Sequence, residues 1–321
     1  MRRHLVSRLL PLVATLAVGA VRGAEDGPYK ATPEYEALAR DYRITKVLDV
    51  DLDGDVLKET LLAFRDRQDD GNTAGGILVL KQKGGVLRNA GCVLLEDTYP
   101  ADVGVQGKEL NLQLARGDRA ADDLRPLTLT LGKELGLRGD AGDPFGGIKL
   151  KASSTVRTDN ADVKNVYDQD ITTSWAEGAS GTGIGESLTF EFPKPVGVGL
   201  MAVYPGKGTG QRDFRDFNRI HRAVLEVSTQ STTGDTSANL DFADLGIDLA
   251  GNKTEVSFAN KPEMRFIKVA EPEVVKMVLR VDSVYLGDRK DDTHVAEVAF
   301  CSLLSSGEIQ ELSRKQQKKK G

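Results

Sequence analysis

The chain has 321 residues with 43 basic and 48 acidic side chains, a formal charge of −5, and only two cysteines. That length holds two ordinary domains, and two cysteines are too few for a disulfide scaffold. Setting aside four arginines in the first 23 residues and five basic side chains in the last eight leaves a body at −14. Such a body repels phosphate backbones and excludes nucleic acid as the expected partner.

Arg2, Arg3 and Arg8 precede an apolar run from Leu9 to Ala20, closed by Val18-Gly-Ala20 or Val21-Arg-Gly23. This is the pattern of a signal peptide over 1–23. The run is too short for a transmembrane helix, and no cysteine follows it to carry a lipid. The expectation is a protein exported to the periplasm or secreted, without a transmembrane anchor.

The region 24–145 reads as a small β-rich domain. Thr32-Pro33-Glu34 opens a short helix through Arg40. After it comes an acidic loop. Counting Asp51 as position one, acidic oxygens fall at one, three, five and nine, on Asp51, Asp53, Asp55 and Glu59. That spacing wraps a loop around a divalent cation and releases a strand at Thr60–Phe64. It resembles the calcium loops of FG-GAP and related propeller-like repeats. Val56 stands where that family has a second glycine, and a β-branched residue there resists positive φ. Counting from Asp49 instead puts Gly54 at position six of an EF-hand-like start. The acid then falls at eleven, and a strand follows rather than a helix.

Short strands continue at Ile77–Leu80, Val93–Leu95, Leu110–Leu114 and Leu127–Leu131, with Gly84-Gly85, Gly107 and Gly117-Asp118 between them. Strict alternation in the last two predicts half-buried antiparallel strands. Arg138 to Gly147, rich in glycine and holding Pro144, reads as a linker.

The most informative stretch is Asn165 to Glu186. Asp168, Asp170 and Thr173 offer oxygen ligands at close spacing, the sole tryptophan Trp175 follows, and then come Gly178, Gly181, Gly183 and Gly185. By spacing alone this is a polar turn or a cation loop. Asn165-x-x-Asp168-x-Asp170-x-x-Thr173-Ser-Trp175 resembles the signature of discoidin-like (F5/8 type C) domains. Its continuation to Glu186 resembles the branch found as the translocation, or glycan-binding, domain of bacterial NAD-glycohydrolase toxins. Tyr204-Pro-Gly, Asn218-Arg219 and the run from Val284 to Glu297 extend the match. The resemblance implies a jelly-roll β-sandwich over 146–305, often with a structural calcium, and assigns its side-chain ligands to Asp168, Asp170, Thr173 and Glu297. Gln169 departs from it, standing where the family has glycine.

Between strands, the loop 204–219 interleaves Tyr204, Phe214 and Phe217 with Arg212, Arg215 and Arg219. Rings for stacking and guanidinium forks for hydroxyls make it the candidate ligand loop. The competing reading packs the rings inward and pairs the arginines with Asp213 and Asp216. Cys92 and Cys301 lie in apolar runs, so burial as thiols accounts for both, with an interdomain bridge as the alternative. The lysine-rich segment 306–321 reads as a solvated, disordered tail.

Catalysis finds little support. Past the signal only His221 and His294 remain, with no nucleophile elbow and no His-Glu-x-x-His helix. The sequence therefore predicts an all-β, exported, non-catalytic binding protein. It recognises a glycan or other cell-surface ligand and is stabilised by calcium. An assembly protein docking to an envelope partner and a hydrolase with an unrecognised site are the alternatives.

Overall fold

The computed structural model describes residues 27–67, 74–83, 86–116, 124–157, 161–208, 210–230 and 251–320. The expected signal peptide and the turns at Gly84-Gly85 and Gly117-Asp118 lie outside them.

Thr32 caps α1 (Pro33–Asp41), its hydroxyl accepting the Tyr35 N–H at 3.2 Å. Four antiparallel strands follow: β1 (Tyr42–Val50), β2 (Glu59–Asp66), β3 (Gly75–Lys83) and β4 (Val86–Leu95). β2 and β3 are apolar on both faces because both are covered. Leu62, Phe64, Leu78 and Leu80 join a core that includes Ala37 and Leu38 of α1. Leu61, Ala63, Ile77 and Val79 face the opposite way, into a separate core. That second core is closed by a three-stranded sheet of β5 (Tyr99–Gln106), β6 (Glu109–Ala115) and β7 (Arg125–Thr130). Its alternating leucines, Leu110, Leu112, Leu114, Leu127 and Leu129, point inward as their period predicts.

The carboxy-terminal half is a β-sandwich. It comprises β8 (Lys149–Ala152), β9 (Trp175–Ala176), β10 (Ser187–Tyr204), the short α2 (Gln211–Asp216), β11 (Asn218–Thr229), β12 (Gly251–Ser257), β13 (Arg265–Tyr285), β14 (Thr293–Val295) and β15 (Glu297–Leu304). β10 and β13 are single long strands, of 18 and 21 residues. Register shifts between Glu191 and Leu200 bend β10, so its first half pairs with β8 and its second with β15. Trp175, Phe190, Met201 and Phe300 fill the interior, and the Trp175 ring N–H donates to Ser154 O at 3.0 Å.

A β-rich part precedes the sandwich, as expected, but the two share one sheet. β4 runs parallel to β15, Val93 opposite Ser302 and Leu95 opposite Leu304. The order β1-β2-β3-β4-β15-β10-β13-β11-β14-β9 is continuous. Three further expectations are corrected here. Cys92 and Cys301 form a disulfide across this junction rather than remaining thiols, since parallel pairing sets them side by side. The segment 138–147 is not a free linker: the Arg138 N–H donates to Ala90 O at 2.6 Å, and Phe145 lies in the sandwich core. The basic end is not a disordered tail but a helix, α3 (Ser306–Lys320). Ile309 is buried with Leu312 beside it, and the Gln316 side-chain amide accepts from Thr128 N–H at 2.9 Å and donates to Thr128 O at 2.7 Å. That amide completes the exposed edge of β7 as a further strand would.

Candidate functional site

The turn 165–175 is held by its own side chains. Asn165 donates to Ser174 O at 3.1 Å. Asp168 accepts from the Asp170 N–H at 2.8 Å and the Thr173 hydroxyl at 2.7 Å. Asp170 accepts from the Thr172 N–H and hydroxyl, and its carboxylate faces Arg88 at 3.4 Å. Burial alone would raise the Asp170 carboxyl, but the Thr172 hydrogen bonds, with Arg88 nearby, hold it below its ordinary value. Gln169 keeps the positive φ that glycine would adopt, at 66°. Its side chain donates to Asn89 O on β4 at 2.7 Å, which offsets the backbone cost and ties the turn to the amino-terminal sheet.

Glu297 opens β15 in a buried position. Its carboxylate meets the Arg138 guanidinium at 3.2 Å, and that guanidinium lies 3.5 Å above the centre of the Tyr167 ring. Burial pushes the Glu297 carboxyl up to about 8, with Arg138 pulling it back. Each member of the donor set that the resemblance assigns to calcium, Asp168, Asp170, Thr173 and Glu297, thus has another partner, although the second Glu297 oxygen, Oε2, is buried without one. Two carboxylates face guanidinium groups, and the third accepts from the turn itself. With both guanidinium groups in place, the three carboxylates are not gathered as a divalent site among the described residues.

The amino-terminal loop brings carboxylate oxygens of Asp51, Asp53 and Glu59 within 4.8 Å of one another. A cation already sits among them. Lys81 of β3 bonds Asp53, lies 2.8 Å from Asp55 and reaches Glu59 at 3.8 Å. Those hydrogen bonds hold the Lys81 ammonium well above its usual range. Asp51 is used by the loop, accepting Gly54 N–H at 2.7 Å and Val56 N–H at 3.3 Å. Val56 adopts φ 74° after all, at a position where it is 86% exposed.

The loop 204–219 is corrected as a ligand loop. Tyr204 and Phe214 are buried against each other, ring centres 6.3 Å apart. Arg219 is buried too, donating to Asn260 at 2.8 Å and Leu286 O at 2.8 Å. Phe217 is half-buried between His294 and the Lys207 ammonium. Only Arg212 and Arg215 face solvent, and Arg212 lies 3.9 Å from Asp216. Rings and the one buried guanidinium here serve packing.

The structure opens a different concavity, at the seam where β3 and β4 meet the 165–175 turn. This cleft, about 160 Å³, is lined by Asp53, Lys83, Arg88, Arg138, Asp140 and Gln169 among others. Lys83 is exposed and reaches Asp168 O at 3.3 Å and Gln169 Oε1 at 3.5 Å. Sequence reasoning missed Lys81, Lys83, Arg88 and Arg138. The available signal was Gln169 in place of glycine, which marks a turn that leans on something else.

Folded in this way, residues 144–301 form a discoidin-like sandwich. They match the family model described as the NAD glycohydrolase translocation F5/8 type C domain. Among solved structures, an F5/8 type C domain from Bacteroides fragilis is 14% identical with a TM-score of 0.33, covering 49% of this chain and 93% of that one. An arabinofuranosyltransferase from Mycobacteria is 15% identical with a TM-score of 0.34, covering 48% of this chain. Tandem CBM32 domains of Clostridium perfringens ZmpB are 12% identical with a TM-score of 0.33, covering 49%. The chain spans about a tenth of the transferase (11%) and a third (34%) of the ZmpB structure. A comparison with curated proteins found no match.

Proposed function

We propose that this chain is an exported, non-catalytic recognition protein that binds a glycan or related cell-surface ligand at the seam cleft. The observation that carries the reading is a concave surface, beside the signature turn of an F5/8 type C sandwich, lined by Lys83, Asp140 and Gln169. Ammonium, carboxylate and amide together donate and accept hydrogen bonds, which is what a ring of hydroxyls requires. The cleft is small, suited to one or two sugar units rather than to a long chain.

The non-catalytic part of the reading is supported by the histidines. His294 is buried with Nδ1 against the Ser174 hydroxyl at 2.8 Å. His221 stacks on Tyr285 with Nδ1 3.3 Å from the Ser283 hydroxyl. Neither is among the residues lining the cleft. Export rests on the signal-like start, and among the described residues no helix is long and apolar enough to cross a membrane.

A glycan array probed with the full chain tests the reading. Retention on a defined set of short saccharides is expected. Retention on none, with cleavage of labelled polysaccharides instead, would replace it by a hydrolase.

A further inference from the structure

Fold family and turn chemistry lead one to expect a divalent ion joining the 165–175 turn to the start of β15. The carboxylates for it are present, yet each makes another contact, with only the Glu297 Oε2 oxygen left buried and unpartnered. Glu297 meets Arg138 at 3.2 Å, Asp170 meets Arg88 at 3.4 Å, and Asp168 accepts the Thr173 hydroxyl. Among the described residues Asp168, Asp170 and Glu297 do not bring their oxygens together as a metal-holding group, whereas Asp51, Asp53 and Glu59 do.

We infer that Arg138 is the built-in cation of this sandwich, its guanidinium replacing a structural calcium and making the domain's stability independent of metal. The argument is positional first. A bound ion in such a domain ties two elements, the turn and the last strand. The Arg138 guanidinium touches both: its face covers Tyr167, where the short 3-10 helix Val163–Tyr167 leads into the turn, and its edge meets Glu297 on β15. Three side chains thus hold the same two elements with no ion.

The second argument is charge. Glu297 is 2% exposed, and Asp168 is close enough to repel it. Arg138 pulls that carboxyl back toward its charged form against the burial that raises it, and guanidinium is the one side chain that stays protonated however it is placed. A point charge of the ammonium type would not also lie flat on a ring.

The third argument is how Arg138 is held. Its N–H donates to Ala90 O at 2.6 Å, and Gln169 donates to the neighbouring Asn89 O at 2.7 Å. Consecutive residues of β4 therefore grip the arginine and the turn it serves. Fusing the amino-terminal sheet to the sandwich supplies the cation and fixes its position in one step. The inference concerns stability and stands whether or not the cleft binds a glycan.

The test is the melting temperature of the full chain in calcium and in EDTA, for wild type and Arg138→Met. The wild type is expected to melt identically in both. Arg138→Met is expected to melt lower by about 10 °C in EDTA, because it removes the contacts to Glu297 and to the Tyr167 ring and leaves buried polar oxygens without a partner. Calcium should recover part of that loss, now that Glu297 and Asp168 lack a counter-charge. Calcium raising the wild-type melting temperature would overturn the inference if the rise persists in Asp53→Asn. A rise that vanishes in Asp53→Asn belongs to the amino-terminal loop and leaves the inference standing. An Arg138→Met protein as stable as wild type would also overturn it. If Arg138→Met does not fold, Arg138→Met with Glu297→Gln removes both charges and should fold. Failure of that pair would count against the inference.

Discussion

Cys92 and Cys301, 209 residues apart in sequence, are joined across the parallel pair β4 and β15. The bond closes a loop that contains nearly the whole sandwich, and it sits where the two halves of the chain become one sheet. Constraining so long a loop in the unfolded chain contributes roughly 5 kcal/mol in the chain-entropy picture. Cys92→Ala with Cys301→Ala is expected to lower the urea midpoint by a corresponding amount. Because the only tryptophan, Trp175, is fully buried in the sandwich, its fluorescence reports on that half alone. In the oxidised protein its unfolding curve should coincide with that from circular dichroism. Separate transitions would show that the shared sheet does not couple the halves.

The loop 204–219 should behave as core. Phe214→Ala removes a ring packed on Tyr204 and lying 5.6 Å from the Arg219 guanidinium carbon. The expected loss is about 3–5 kcal/mol, measured by chemical denaturation. Arg212→Ala, on the solvent side, should change stability by no more than about 0.5 kcal/mol. The reverse ranking would restore the loop as a ligand surface.

His294 makes the fold sensitive to acid. Burial, with Lys207 nearby, pushes its imidazole down to about 3, whereas the unfolded chain titrates near the ordinary value of about 6.5. The unfolded state therefore takes up a proton first as pH falls. The contribution of this group is complete above pH 6.5 and is lost progressively toward pH 3. Melting temperature should begin to fall between pH 6.5 and 5, before most carboxylates titrate, and His294→Gln should flatten that window. An unchanged slope in the variant would mean that His294 is accessible to water in the folded state.

Much of the architecture was legible because it depends on local pattern. The cap at Thr32, the alternating leucines of β6 and β7, and the signature from Asn165 to Trp175 each place their elements correctly. What was not legible comes from pairings distant in sequence. The acids at Asp51, Asp53, Asp55 and Glu59 have the spacing of a calcium loop, but spacing cannot show that Lys81 arrives from the next strand to fill it. Glu297 has a place in the family motif, while its partner Arg138 lies 159 residues earlier in a segment that looks like a linker. The tail was misread for a different reason. Its lysines concealed Ile309, Leu312 and Gln316, spaced along one helical face that docks on β7 and the core beneath it.

Ligand retention at the seam is the most direct test of the account. The measurement is binding of the best saccharide from the array to wild type, Lys83→Ala and Arg212→Ala. Lys83 lines the cleft, and its exposed ammonium makes only long contacts to the turn, so its loss should leave the fold intact. The account predicts binding at least about tenfold weaker for Lys83→Ala, the loss of one charge-assisted hydrogen bond, with Arg212→Ala unchanged. Undiminished binding by Lys83→Ala, or loss in Arg212→Ala alone, would contradict it.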